Sequence, residues 1–343
     1  EALMLQQVLL FTLASIAGAL QAVGLRSNFV TGCMHNTITR ATVSAKYVEG
    51  MSDLDEDAAA LLEEANGDID RARTSYIGYT LAYLEEAMPD LYEALKTDPK
   101  RPDAHAAIVE VTWDAIAAFL PVTHDPTPTM EAQKRLTAIS RAANDGVSDE
   151  VTRFLDVGCG NGLLLPFAVA TGVPPSAYRG IDLSSRMIET AQKTHSDAQY
   201  KGASFDDVSF ADVVKEGEGE SYDSIVFNGS IQFFADLHAT LADAARLLKK
   251  GPNARLVLAH VSGAAFVKRE RDENQATVLS VMPDITELSQ VAESLGMLMV
   301  TPSFMGSETA QVERYLDDFY LVILRWDAEH GGVDGEGGGI ADL

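Results

Sequence analysis

Asp156, Gly158, Gly160, Gly162 and Asp182 are the residues of this chain whose types and spacing point to chemistry. The run Phe154-Leu155-Asp156-Val157 empties into Gly158-Cys159-Gly160-Asn161-Gly162, a turn without Cβ atoms at alternate positions. Such a turn lets backbone amides approach a nucleotide or an amino-acid headgroup. The following Leu163–Ala170 reads as a helix whose positive N-terminal end faces the same place. A second strand, Tyr178–Asp182, closes on an acid where a ribose diol would lie. Dinucleotide binders space their glycines as G-x-G-x-x-G. Here Leu163 stands where the third glycine of that pattern belongs, and Asp156 would serve a pyrophosphate poorly. An α-ammonium group suits that carboxylate, through the loop backbone and the waters it orders.

An acid followed by alternating glycines, with a second acid closing the second strand, resembles the class I S-adenosylmethionine-dependent methyltransferases over roughly residues 150–326. The resemblance implies a doubly wound, seven-stranded α/β sheet of order 3-2-1-4-5-7-6, with strand seven antiparallel. It implies S-adenosylmethionine as cofactor, held by Asp156, Gly158, Cys159, Gly160, Asn161, Gly162, Asp182, Leu183 and Asn228. Many relatives place an acid directly after strand three to receive the adenine amino group, whereas this chain has Ala203-Ser204 there. Ser204 and Asp206 are the candidates for that contact, with Asp207 or a backbone carbonyl as alternatives.

A sulfonium methyl is already activated, so the protein's work is alignment and exclusion of water. A hydroxyl, thiol or acidic carbon acceptor also needs a destination for its proton. His260, at the end of the fifth strand, is the candidate base, the alternative being an ordinary structural histidine. Asn228 and Gln232 are candidates for orienting the acceptor. The run Phe227–Phe234 lacks the proline pair that exocyclic-amine methylation usually employs. The two cysteines, Cys33 and Cys159, supply no four-ligand zinc set, and no metal is expected. The reading is methyl transfer to a small-molecule acceptor, O-, S- or C-directed. The alternative is a non-catalytic methyltransferase-like protein that binds the cofactor or acts as a scaffold.

The elements that must position these residues alternate as a doubly wound sheet requires. Ser184-Ser185 cap a helix through Gln192. Strands are expected at 198–203, 222–227, 254–260, 297–300 and 319–324, with helices at 237–248 and 285–295. Residues 51–125 form an acidic helical unit. Leu81, Leu84, Met88, Leu91 and Leu95 keep one apolar face interrupted at Pro89, and Tyr76, Tyr79 and Tyr83 share a face. A further helix spans Ala104–Leu120. This unit is expected to act as a lid walling the acceptor pocket. Pro121, Pro126 and Pro128 mark a linker over 126–149, and His124-Asp125 is a candidate to reach the site.

The 343 residues have room for about two domains, and their formal charge of −25 argues against a nucleic-acid partner. Ala2–Leu25 carries no charge, and Arg26–Lys46 has basic residues, no acids and many Ser and Thr. Residues 1–50 therefore read as a hydrophobic then basic targeting segment of the plastid bipartite kind, with a membrane anchor through residues 2–25 as alternative. The expected location is an organelle or a membrane, otherwise the cytoplasm. The acidic, Gly-rich tail 327–343 is expected to be disordered.

Overall fold

The computed structural model describes residues 54–120, 128–144, 153–217, 221–300, 302 and 309–327. The targeting-like segment, His124-Asp125 and the tail after Asp327 lie outside the described residues. The chain divides into two compact units. One comprises the helical region through Leu120 together with Leu183–Met187 and Asp272–Val278; the other holds the sheet.

In the helical unit, α1 (Leu54–Glu64), α2 (Ile69–Ala87), α3 (Pro89–Thr97) and α4 (Pro102–Ala118) pack around one apolar core. Asp68 caps α2 by accepting from the Arg71 amide at 3.1 Å. Pro89 starts α3 instead of interrupting a helix, because the first helical position needs no amide donor. Tyr76, Ile77, Leu81, Leu84 and Leu95 are buried in the core, each worth roughly 1.5–3 kcal/mol of burial for a large apolar side chain. The expected tyrosine face divides: Tyr76 is buried and Tyr79 is exposed.

The other unit carries β1 (Phe154–Val157), β2 (Tyr178–Asp182), β3 (Ser204–Asp207), β4 (Ser224–Asn228), β5 (Arg255–His260), β6 (Met297–Val300) and β7 (Tyr320–Trp326). Their order is β3-β2-β1-β4-β5-β7-β6, and β7 pairs antiparallel with both neighbours. β1, β4 and β5 are apolar runs buried along almost their whole length, as central strands covered on both faces must be. Around them lie α5 (Met130–Asn144), α6 (Leu165–Ala170), α7 (Ser185–Thr194), α8 (Phe210–Glu216), α9 (Leu237–Leu247), α10 (Gly263–Glu273), α11 (Ile285–Ser294) and α12 (Thr309–Asp318).

The structure corrects two expectations. The third strand is Ser204–Asp207, not 198–203; Ala198–Tyr200 is a single 3₁₀ turn, and Gly202, at φ 103°, turns the chain before the strand begins. The stretch read as a linker contains α5, whose Leu136, Ile139 and Ala143 are fully buried. Arg135 Nη1 donates to the carbonyls of Val261 at 2.7 Å and Asp318 at 2.6 Å, fastening this helix beside the sheet. The prolines mark only its beginning. Three further helices, α8, α10 and α12, were not expected from the sequence.

Candidate active site

The glycine turn is built by backbone geometry. Gly158 and Cys159 both donate their amides to the Ile181 carbonyl, at 2.8 and 3.0 Å, which ties the end of β1 to β2. Gly158, Gly160 and Gly162 all have positive φ, the left-handed region that favours glycine. A Cβ at Gly158 would lie 2.5 Å from Ser230 Cβ, and one at Gly162 would lie 2.8 Å from His195 Cδ2 and 2.9 Å from Phe205 Cε1. At Gly160 a Cβ would meet nothing within 4 Å. The outer glycines are therefore filled in by protein, while the middle one borders open space.

Asp182 accepts from the Gly160 amide through Oδ2 at 2.9 Å, so the second acid is joined to the loop centre. Asp156 is 2% exposed, and its Oδ2 accepts from the Tyr178 hydroxyl at 2.5 Å. Burial, reinforced by nearby Asp182 and opposed by the Tyr178 hydrogen bond, pushes the Asp156 carboxyl up to about 7. Its Oδ1 has no hydrogen-bond partner, nor do Oδ1 of Asn228 and Oε1 of Gln232. By strand register, Asp156 and Asn228 share one face of adjacent strands. Orphaned buried acceptors at a strand end are what an ammonium group, with donors and no acceptor, would satisfy. The residues present thus fit an amino-acid headgroup beside a sugar, with Asp182 at the latter.

Other expected residues are placed differently. Cys159 is buried, its side chain against Gly180, so it enters the loop as a filler with its amide already committed. Burial, and then Asp182 and Asp156, raise its thiol well above the ordinary range. Ser204 and Asp206 lie on the sheet face opposite Asp156 and Asp182, because β3 begins at Ser204 and alternates from there. Asp206 is held by Arg179 Nε at 2.6 Å. Both residues line an open hollow of about 310 Å³ along the edge strand, with Gln192 and His195. The acid in register with Asp182 is Asp207, one of the alternatives that the sequence offered for this contact. Leu183 belongs by contacts to the helical unit.

His260 is engaged through the ring nitrogen that a base would use. Its Nδ1 accepts from the Ser262 amide at 3.1 Å, which leaves the proton of the neutral ring on Nε2. Burial pushes the imidazole down to about 4. The ring is a neutral donor, lying 3.6 Å (Cδ2) from the Cβ position of Gly229. Gln232 donates through Nε2 to the Gly229 carbonyl at 3.0 Å, and its main-chain carbonyl accepts from the amides of Leu279 and Ser280. It fixes the loop after β4.

His195 was missed by sequence reasoning. It stacks on Phe205 with ring centroids 5.7 Å apart and meets Tyr200 edge-on at 5.2 Å, backing Gly162. Phe154, Tyr178 and Phe205 continue that aromatic wall behind Asp156. Tyr178 was a signal available in the chain: a hydroxyl at the start of a buried strand needs a partner.

A seven-stranded sheet of this order, with a glycine turn after β1 and an acid ending β2, defines a class I, Rossmann-like methyltransferase domain, the class whose cofactor is S-adenosylmethionine. Residues 155–254 match the family model described as a methyltransferase domain, and the chain contains one. A stretch of 129 residues, 37% of the chain, is 28% identical to malonyl-[acyl-carrier protein] O-methyltransferase of Priestia megaterium and covers 43% of that protein. The chain therefore matches less than half the length of this curated relative. Among solved structures, magnesium protoporphyrin IX methyltransferase from Synechocystis with bound SAM aligns at TM-score 0.45 and 15% identity, covering 65% of this chain and 97% of that one. An S-adenosylmethionine-dependent methyltransferase from Mesorhizobium loti aligns at 0.40 and 15%, covering 57% and 98%.

Proposed function

We propose that this chain transfers the methyl group of S-adenosylmethionine to a small-molecule acceptor, and that the accepting atom is an oxygen already ionised at neutral pH, as in a carboxylate. The observation that carries the second half is His260: its one basic nitrogen is occupied by the Ser262 amide. Asn228 and Gln232 offer amide oxygens, which orient and do not take protons. An acceptor that arrives deprotonated needs no general base.

When bound, S-adenosylmethionine supplies an electrophilic methyl carbon on a positively charged sulfur. Asp182 is assigned to the sugar hydroxyls and the free acceptors of Asp156 and Asn228 to the ammonium group. The open space at Gly160 admits the ligand against the loop backbone. Tyr178 holds the Asp156 carboxylate so that Oδ1 remains available. Gln232 keeps the loop after β4 from moving, and His260 Nε2–H donates toward that region. Alignment of this kind supplies on the order of 7–11 kcal/mol when both reactants are held in line.

Calorimetry with S-adenosylmethionine and S-adenosylhomocysteine tests the first half; absence of heat with both overturns it. Incubation with methyl-labelled cofactor and fractionated metabolites tests the second. Label in a base-labile ester fraction supports it, and label in an amine fraction defeats it. Binding without transfer to any fraction would favour a cofactor-binding scaffold.

A further inference from the structure

The glycine turn commits most of its amides. Gly158 and Cys159 donate to Ile181, Gly160 donates to Asp182, and Gly162 donates to the Cys159 carbonyl at 3.0 Å. The Asn161 amide, beside the open side of Gly160, finds no acceptor among the described residues. The Asn161–Gly162 peptide is trans with its amide end turned to Cys159, so its carbonyl end faces the other way. On that side stands His195, its Nε2 2.9 Å from the place a Gly162 Cβ would take. Burial lowers the His195 imidazole below its usual value, and the carbonyls of Asn161 and Gly162, then Asp197, oppose that by favouring the charged ring. Nε2 itself is buried and completes no hydrogen bond. The Gly162 carbonyl already accepts from the Leu165 amide at 3.1 Å, which leaves the Asn161 carbonyl as the acceptor beside it.

Glycine is needed at 162 to make room for this imidazole, and the same missing Cβ leaves the adjoining peptide free to rotate. A rotated Asn161 carbonyl would set an acceptor where the turn otherwise offers a donor. We propose that His195 is a positioning residue for cofactor binding: its Nε2–H closes on the Asn161 carbonyl, which fixes that peptide and keeps the Asn161 amide on the ligand side of the turn. The ring is held for this task from behind. It stacks on Phe205 at 5.7 Å and 21° and meets Tyr200 edge-on, while Gln192 Nε2 donates to the Phe205 carbonyl at 3.0 Å. A donor braced in this way can restrain a loop because it does not follow the loop's motion. Every residue involved belongs to the unit that holds the sheet. The inference deepens the reading of methyl transfer and rests on its cofactor half.

The test is titration calorimetry of S-adenosylhomocysteine, at one fixed pH, on the full chain and on two variants that separate packing from donation. His195→Phe keeps an aromatic ring against Phe205 and Tyr200 and removes the donor. It is expected to hold Tm within about 2 °C of the parent and to weaken S-adenosylhomocysteine about ten-fold. His195→Gln keeps an amide N–H and removes the ring. It is expected to lower Tm by about 3 °C or more and to weaken binding less than about three-fold. The two orders cross, whereas a histidine that only packs would lose affinity in step with Tm. The proposal is overturned if His195→Phe binds as tightly as the parent, or if affinity follows Tm across the three proteins. Should His195→Gln not fold, imidazole nitrogen NMR of the parent decides: the proton is expected on Nε2 and is expected to exchange more slowly once S-adenosylhomocysteine is added. A proton on Nδ1 instead overturns the assignment. A parent that binds no S-adenosylhomocysteine defeats the methyl-transfer reading and this proposal together, while binding that His195→Phe leaves unchanged defeats this proposal alone.

Discussion

The glycine turn and the polar cluster of the helical unit solve the same problem, holding polar groups away from water, by opposite means. At the turn, consecutive residues do the work: amides of Gly158, Cys159 and Gly160 go to Ile181 and Asp182, and the acceptors left over point to a ligand. In the helical unit, Tyr76, Asp114 and Arg186 come from three separated segments and meet only when those segments pack. Backbone-directed sites tolerate little change in residue type, whereas side-chain clusters can lose a member and keep the fold.

The largest break in this contrast is expected at Gly162. Gly162→Val forces a side chain into His195 and Phe205 at positive φ and should lower Tm by about 5 °C or more while cofactor affinity falls at least about 100-fold. Gly160→Ala has strain but no collision, so its stability loss stays near ~1 kcal/mol. Equal Tm losses for the two variants would refute the distinction between filled and open glycines.

Asp182→Asn is expected to reduce cofactor affinity about ten- to 100-fold, the worth of a hydrogen bond to a charged group, with a smaller change in Tm. Titration calorimetry decides it.

Asp156 gives a pH signature. Its folded value of about 7 lies above the ordinary carboxylate value of 3.8, so the folded protein binds this proton more tightly than the unfolded chain. Its contribution to stability therefore falls as pH rises from about 4 to 7, and Asp156→Asn should flatten that slope in urea denaturation. Because an ammonium ligand favours the ionised carboxyl, S-adenosylhomocysteine binding should tighten as pH rises through 7, and Tyr178→Phe should move that rise to higher pH.

The smallest effects separate bystanders. His260→Gln is expected to change kcat less than about three-fold and to leave the pH profile without a missing limb, since the histidine gives up no proton-accepting atom. A 100-fold fall in kcat with a lost acidic limb would restore it as base. Tyr79→Ala, at an exposed position, should shift stability by no more than about 0.5 kcal/mol.

The central strands were legible because apolar runs of four to seven residues between turn signals have few other ways to be buried. Phe154–Val157 and Tyr178–Asp182 lie where the sequence puts them, and so does the edge strand Met297–Val300. α5 was not, since Pro121, Pro126 and Pro128 dominate the local signal and its Leu136, Ile139 and Ala143 stripe is short. The third strand was displaced because Gln199-Tyr200-Lys201 imitates alternation, while Gly202 ends that stretch. The shift carried Ser204 and Asp206 to one face and brought Asp207 into register with Asp182.

By itself, the sequence determined the glycine turn, both strand-end acids and the alternation of strands and helices, since each depends on residues within a few positions of one another. Tertiary structure decided which atoms remained free. The tautomer of His260 follows from the amide of Ser262, and the bond from Tyr178 to Asp156 crosses two strands. Hydrogen-bond satisfaction is a property of packed neighbours, and only folding assigns them.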